Sequence, residues 1–105
     1  MIENLIQAAG EGCAYSFYHS AKGDELDLII ESGARRIAVE IKHSRSPALE
    51  AGAYRAVETT QSQALYVVYP GKTDYHLEGG AHVFSLERMT HLLSTREWLT
   101  SETGR

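Results

Sequence analysis

The stretch KGDELDLIIESGARRIAVEIKHS, at residues 22–44, decides the fold of this chain. Apolar and polar side chains alternate over residues 25–31 and again over residues 36–42, which is the two-residue period of a β-strand. Residues 32–34 separate the two runs and have the composition of a tight turn. The stretch therefore predicts an antiparallel β-hairpin. The alternation assigns three apolar side chains to one face of the first strand, Leu26, Leu28 and Ile30.

The register of the hairpin follows from its loop. A loop over residues 32–35 makes four facing pairs, which are Glu31 with Arg36, Ile29 with Ala38, Asp27 with Glu40, and Glu25 with Lys42. Two of these pairs have opposite charges and one is apolar, as a stable sheet favours. Asp27 and Glu40 are both acidic, and a like-charge pair destabilises a sheet unless a cation lies between its members.

A divalent metal ion would relieve this repulsion. Mg²⁺ binds oxygen ligands, often through one or two carboxylates plus waters and substrate phosphates. Lys42 is expected on the same face as Glu40, where its ammonium group would orient an attacking water or neutralise charge on a phosphoryl oxygen. Asp27, Glu40 and Lys42 are thus the candidate catalytic residues for metal-assisted phosphodiester hydrolysis. A solvent-exposed sheet face with structural ion pairs explains the same three residues equally well.

The rest of the chain predicts the elements that surround the hairpin. Helices are expected at residues 2–9, at residues 46–61 and from Ser85 onward, and further strands at residues 15–19, 64–69 and 81–84. Ser46 and Pro47 have the residue types of a helix N-cap and first helical position. Residues 64–69 form a continuous apolar run, which is typical of a parallel strand that is covered on both faces. We therefore expect one α/β domain over residues 1–105, with a mixed sheet, the order αβββαβ, and then a short strand and a C-terminal helix.

Composition limits the classes of function. The formal net charge is −4, which argues against a protein that coats nucleic acid through bulk positive charge. It does not argue against a nuclease, whose metal site is itself acidic. The single cysteine, Cys13, excludes an internal disulfide. The chain has no apolar run long enough to span a membrane and no signal-peptide pattern at its start, so we expect a cytoplasmic protein without membrane contact.

Several short motifs together resemble a known family. Asp27 followed by Glu40-Ile41-Lys42 resembles the signature of the PD-(D/E)xK nuclease superfamily, and the expected element order is similar to its αβββαβ core. The segments IENLI, KGDELDLII, VEIKHS and VVYPGK resemble the C-terminal domain of unknown function found in bacterial and archaeal AAA-type ATPases, which is itself regarded as PD-(D/E)xK-like. These segments begin at residues 2, 22, 39 and 67. The resemblance covers residues 2 to about 93, and Leu26 stands where the superfamily name would place proline.

The resemblance implies hydrolysis of DNA phosphodiesters that depends on Mg²⁺ or Mn²⁺. By carry-over, Asp27 and Glu40 would bind the metal with help from Glu3 on the first helix. Lys42 would position the attacking water, and Glu25 would support the site.

Four basic residues are candidates for a rim that contacts nucleic-acid phosphates: Lys22, His43, Arg45 and Arg55. A solvated loop explains each of them as well.

A second function stays open beside the nuclease. The same fold would serve as a non-catalytic regulatory or interaction domain of a AAA-type ATPase, and the acidic charge balance favours this alternative. The expected partners are DNA and an ATPase domain, either upstream in the same protein or separate. At 105 residues the domain has no accessory DNA-gripping part, so cleavage would need a homodimer or such a partner domain.

Overall fold

A computed structural model describes residues 1–99 of the chain. Its elements are, in chain order, α1 (Ile2–Ala9), β1 (Ala14–His19), β2 (Glu25–Ser32), β3 (Arg35–Ile41), α2 (Ala51–Thr60), β4 (Ala64–Tyr69), β5 (Tyr75–His76), β6 (His82–Ser85), α3 (Leu86–Ser94) and a single 3₁₀ turn (Glu97–Leu99). The predicted strands and the first and last predicted helices are confirmed. The two-residue strand β5 was not predicted, because two residues show no periodicity.

The strands form one six-stranded mixed sheet in the order β1-β2-β3-β4-β6-β5. The pairs β1–β2, β2–β3 and β5–β6 are antiparallel, whereas β3–β4 and β4–β6 are parallel. The predicted α/β class, the mixed sheet and the parallel pairing of β4 with β3 are therefore confirmed. Strands β2 and β3 lie near the middle of the sheet, so residues at the end of this hairpin are surrounded by structure on both sides.

Apolar side chains cover both faces of the sheet. One face packs against α1 and α3 through Leu5, Met89 and Leu93, which are fully buried. The other face packs against α2 through Ala53 and Ala56. Strand β4 contributes to both layers and is buried along nearly its whole length, as its continuous apolar run predicts.

The predicted start of the middle helix is wrong. Helix α2 begins at Ala51 with Glu50 as its N-cap, and not at Ser46. The backbone N–H of Ser46 donates instead to the hydroxyl of Ser44, at 3.0 Å, which closes a local turn. Pro47 is buried beyond this turn. The connection from β3 to α2 is therefore irregular, and it brings the first turn of α2 over the end of the hairpin.

The start of the last helix agrees with its sequence signal. The Ser85 hydroxyl accepts a hydrogen bond from the backbone N–H of Arg88, at 3.0 Å, and so caps α3. No helix within residues 1–99 has the length and apolar character needed to cross a membrane.

Candidate functional site

A β-bulge in β2 shapes the candidate site. Ser16 of β1 lies opposite Ile29, but Tyr18 lies opposite Leu26. Phe17 therefore faces two residues of β2, Asp27 and Leu28. This two-against-one arrangement is a bulge, and bulges bend a strand and redirect its side chains.

The bulge turns Leu26 to the opposite face of the sheet. Leu26 joins the core layer under α2, whereas Leu28 and Ile30 belong to the layer under α1 and α3. The prediction that these three side chains share one face is therefore wrong for Leu26. The extra residue shifts the alternation by one position, and both faces are apolar enough to accept a leucine.

The register of the hairpin is as predicted over one half of its length. The β2–β3 ladder runs from Ser32 opposite Arg35 to Leu28 opposite Val39, which includes the predicted pair of Glu31 and Arg36. It ends at the bulge. The ladder consequently does not include two of the predicted facing pairs, Asp27 with Glu40 and Glu25 with Lys42.

Two hydrogen bonds nevertheless hold Asp27 against the end of β3, one to Glu40 and one to Ile41. The backbone N–H of Asp27 donates to Oε1 of Glu40 at 2.8 Å. The backbone N–H of Ile41 donates to Oδ2 of Asp27 at 2.9 Å. Each carboxylate thus accepts a backbone N–H across the gap where the ladder is interrupted, and the two acidic residues lie close together despite the broken register.

Glu40 is the one charged residue that is buried among residues 1–99, with 7% of its surface exposed. Burial is the main cause that raises the pKa of Glu40, to about 7, and the neighbouring Asp27 carboxylate contributes in the same direction. The Asp27 backbone N–H and the Lys42 ammonium group act in the opposite direction. A carboxyl group with this pKa and a close charged partner is typical of functional sites, although structural networks also produce such shifts.

A cleft opens beside Glu40, which we call the Glu40 cleft. Its lining residues are Gly23, Glu25, Glu40, Lys42, Leu49, Glu50, Gly52 and Ala53. Its volume is about 220 Å³. This is room for several waters at roughly 30 Å³ each, but it is below the roughly 300 Å³ at which small-molecule pockets begin. The cleft is thus sized for a hydrated ion or a phosphate group.

The structure brings Glu25, Glu40 and Lys42 together in this cleft. Asp27 is exposed and lines a separate, shallower concavity with Glu3 of α1 and His43. The predicted site is therefore divided between two neighbouring surfaces, which meet at the hydrogen bond from the Asp27 backbone N–H to Glu40. Within residues 1–99, no three His, Cys, Asp or Glu side chains are grouped so that they could hold a metal ion.

The proposed basic rim is dispersed. Lys22 lines another surface depression, together with Asp24 and Arg55. Arg45 is exposed on the irregular connection after β3. His43 is the one proposed rim residue that lies beside Asp27.

Sequence reasoning missed the contribution of α2 to the cleft. Glu50 lines the cleft, because the helix begins at Ala51 and not at residue 46. The guanidinium group of Arg55 holds Asp24 through two hydrogen bonds, at 2.9 and 3.0 Å, and this holds α2 against the turn before β2. The same contact keeps the pKa of Asp24 below its ordinary value. No spacing rule connects Asp24 with Arg55, so the sequence carried no signal for this ion pair.

The comparisons with known proteins place the chain in a family without assigning it an activity. No curated protein and no solved structure is similar enough to the chain to be matched with it. A family model matches residues 1–89, which include every element from α1 to β6 and the first part of α3. The description of that family names no reaction, ligand or partner. The chain belongs to DUF4143, a family of domains of unknown function.

Proposed function

We propose that this domain has a PD-(D/E)xK-type site and hydrolyses DNA phosphodiesters with a divalent cation, Mg²⁺ or Mn²⁺. One observation carries the proposal. The buried Glu40 carboxyl is hydrogen-bonded to Asp27 at an interruption of the sheet and shares a cleft with Lys42. Two adjacent carboxylates and a lysine at the end of a strand are a suitable donor set for phosphodiester hydrolysis.

The chemistry of the donors fits a hard cation. Oε1 of Glu40 and Oδ2 of Asp27 each accept a backbone N–H. The second oxygen of each carboxylate is the one proposed to bind the cation. Since no third ligating side chain joins the pair within residues 1–99, the cation would keep several waters, as Mg²⁺ commonly does.

Each residue has a defined role in this proposal. Asp27 and Glu40 hold the cation, and Glu3, in the first turn of α1, supports the site without ligating the cation directly. Lys42 orients the attacking water and stabilises negative charge that develops on the phosphoryl oxygens. Glu25 supports Lys42 in the cleft. When bound, the cation would supply Lewis-acid activation of the phosphodiester.

Cleavage assays on single-stranded, duplex and branched DNA test the proposal, with Mg²⁺ or Mn²⁺ present. We expect Lys42→Ala and Asp27→Asn each to lower the rate by about 100-fold, because each removes a charge that acts on the transition state. Lys72→Ala is the matched control, since Lys72 is exposed and lies outside the Glu40 cleft. Cleavage that persists in both site variants, or that neither metal supports, contradicts the proposal.

A second candidate function is a non-catalytic regulatory or interaction domain of a AAA-type ATPase. It is favoured by the same two hydrogen bonds, because both carboxylates then act as substitutes for missing ladder acceptors. Thermal unfolding in increasing Mg²⁺ or Mn²⁺ distinguishes the two candidates. A cation that binds the folded domain must raise its melting temperature, and this rise must disappear in Asp27→Asn. An unchanged melting temperature up to about 10 mM metal favours the non-catalytic domain.

A further inference from the structure

The two edges of the sheet differ in how they are protected. Edge strand β5 is two residues long, and short edge strands offer little backbone to another chain. Edge strand β1 is six residues long, with the sequence AYSFYH. It contains no Asp, Glu, Lys, Arg or Pro, the residues with which natural sheets block edge pairing. Strand β1 is therefore open to pairing, and β5 is not.

The centre of β1 carries an unusually exposed aromatic side chain. Phe17 has 74% of its surface exposed, the largest fraction of any large apolar residue within residues 1–99. The strand itself is firmly held by its neighbours. The hydroxyl of Tyr15 lies within hydrogen-bond distance of two backbone carbonyls, at 2.9 Å from Gly10 and 3.2 Å from Ile6, and Tyr18 packs against the core under α2. An ordered, uncharged edge with an exposed phenylalanine has the properties of an interface.

We propose that β1 pairs antiparallel with β1 of a second copy of this chain. The resulting dimer would have one continuous sheet that runs through both copies. Two identical strands in a closed symmetric dimer are related by a two-fold axis, so the interface uses the same surface on both copies. Centring the axis at Phe17 sets the two exposed phenylalanines opposite each other, where both are buried and form a cross-strand aromatic pair.

The charges that flank β1 specify a second copy in this orientation. Glu11 precedes the strand by three residues, and Lys22 follows it by three residues. Antiparallel pairing sets the acidic end of one strand beside the basic end of the other. Neither side chain belongs to an ion pair within residues 1–99, so both are available to a partner.

The dimer would also bring the two candidate sites together. The bulge residue Asp27 lies opposite Phe17 on the neighbouring strand, and the interface is one strand further out. Three strand spacings, about 15 Å, would then separate the two Asp27 positions across the sheet. The interface itself does not depend on the proposed chemistry.

Sedimentation equilibrium over a range of protein concentrations tests the interface. We expect wild type to dimerise and Phe17→Lys to raise the dissociation constant by at least about tenfold, because it sets two lysines opposite each other. Tyr75→Lys is the control, since Tyr75 is an exposed aromatic on the other edge of the sheet. It should leave the dissociation constant unchanged. A wild type that stays monomeric up to about 1 mM overturns the proposal, as does a dimer that Tyr75→Lys weakens as much as Phe17→Lys.

Charge exchange at the ends of β1 tests the orientation separately. Glu11→Lys and Lys22→Glu should each weaken the dimer, and the double variant Glu11→Lys/Lys22→Glu should restore it. Both residues are exposed, so all three variants should fold. A double variant that is weaker than both single variants overturns the antiparallel arrangement.

Discussion

The two halves of the β2–β3 hairpin have almost the same alternating sequence but different structures. In the half next to the loop, the ladder is regular, Ile30 and Ile37 are fully buried, and Glu31 pairs with Arg36 at 2.7 Å. In the half that follows the bulge, the β2–β3 ladder is absent, and Glu40 is buried beside a second carboxylate. The first half has the regular pairing and buried apolar side chains that stabilise a sheet, whereas the second half has a bulge, an interrupted ladder and a buried charge.

The regular half of the hairpin therefore contributes to stability, and the bulged half contains the candidate functional residues. A like-charge pair in a regular ladder would repel at close range. The bulge removes that pairing and lets each carboxylate accept a backbone N–H instead. The cost that remains is the burial of Glu40 near the Asp27 carboxylate, and it is confined to the half that faces the cleft. We therefore expect substitutions in the two halves to have opposite effects on stability.

The largest effect is expected from Ile37→Ala in the regular half. Ile37 is fully buried, and removal of its side chain leaves a cavity under α1 and α3. Urea denaturation should show a loss of about 3 kcal/mol in the free energy of unfolding. Ile2→Ala is the control, because Ile2 is partly exposed, and it should cost less than about 1 kcal/mol. If Ile37→Ala lowered the free energy of unfolding no more than the control does, the regular half would not be the main source of stability.

Glu40→Gln in the bulged half should have the opposite sign. The pKa of Glu40 is about 7 in the folded protein, whereas the ordinary value for glutamate is 4.5. Between these pH values the Glu40 carboxyl is protonated in the folded state and ionised in the unfolded state. Stability must then fall as the pH rises through this window, by at most about 3 kcal/mol in total. Glutamine keeps an oxygen for the Asp27 N–H but carries no charge. The variant should therefore be more stable than wild type at pH 8.

The pH dependence provides the internal control for Glu40→Gln. At pH 4 the wild-type carboxyl is already protonated, so the two proteins should have nearly equal stability. Denaturation of both proteins at pH 4, 6 and 8, without metal, measures how the difference in their free energies of unfolding changes with pH. A variant that is less stable than wild type at pH 8 would mean that the buried carboxylate is already compensated in the folded protein.

The regular half of the hairpin was predictable because alternation and turn residues agree there. The loop near residues 32–35 determines the register, and no other register pairs Glu31 with Arg36. The bulge was not predictable, since Leu26 is apolar and both faces of the sheet have an apolar layer. The candidate residues Asp27, Glu40 and Lys42 could be identified from their charges, but their division between two surfaces follows from the bulge alone.

The start of α2 illustrates a local signal that tertiary structure overrides. Ser46 and Pro47 have the residue types of a helix start, but Ser44 binds the Ser46 N–H and Pro47 is buried. The helix begins where Asp24 and Arg55 can hold it against the turn before β2. These two residues are far apart in the sequence, so the position of the helix, and with it the role of Glu50 in the cleft, required the structure.

The smallest effect is expected where α2 meets this turn, and its sign depends on Asp24. A Cβ atom on Gly52 would lie 2.8 Å from Oδ1 of Asp24, which is closer than van der Waals contact allows. Gly52→Ala should therefore destabilise the protein by about 1 kcal/mol, with the side chain of Asp24 displaced from its position. In an Asp24→Ala background the obstacle is absent, and alanine is the better helix former, so the same substitution should become neutral or stabilising.

Urea denaturation of the four proteins in this double-mutant cycle measures the reversal. An equal effect of Gly52→Ala in both backgrounds would mean that the close approach of α2 to Asp24 does not determine the cost. A reversal would show that the bulged half is closed by packing that only glycine permits, since Gly52 itself lines the Glu40 cleft. The stability of the regular half would then depend on large buried side chains such as Ile37. The packing of α2 against the bulged half would depend on Gly52 having no side chain.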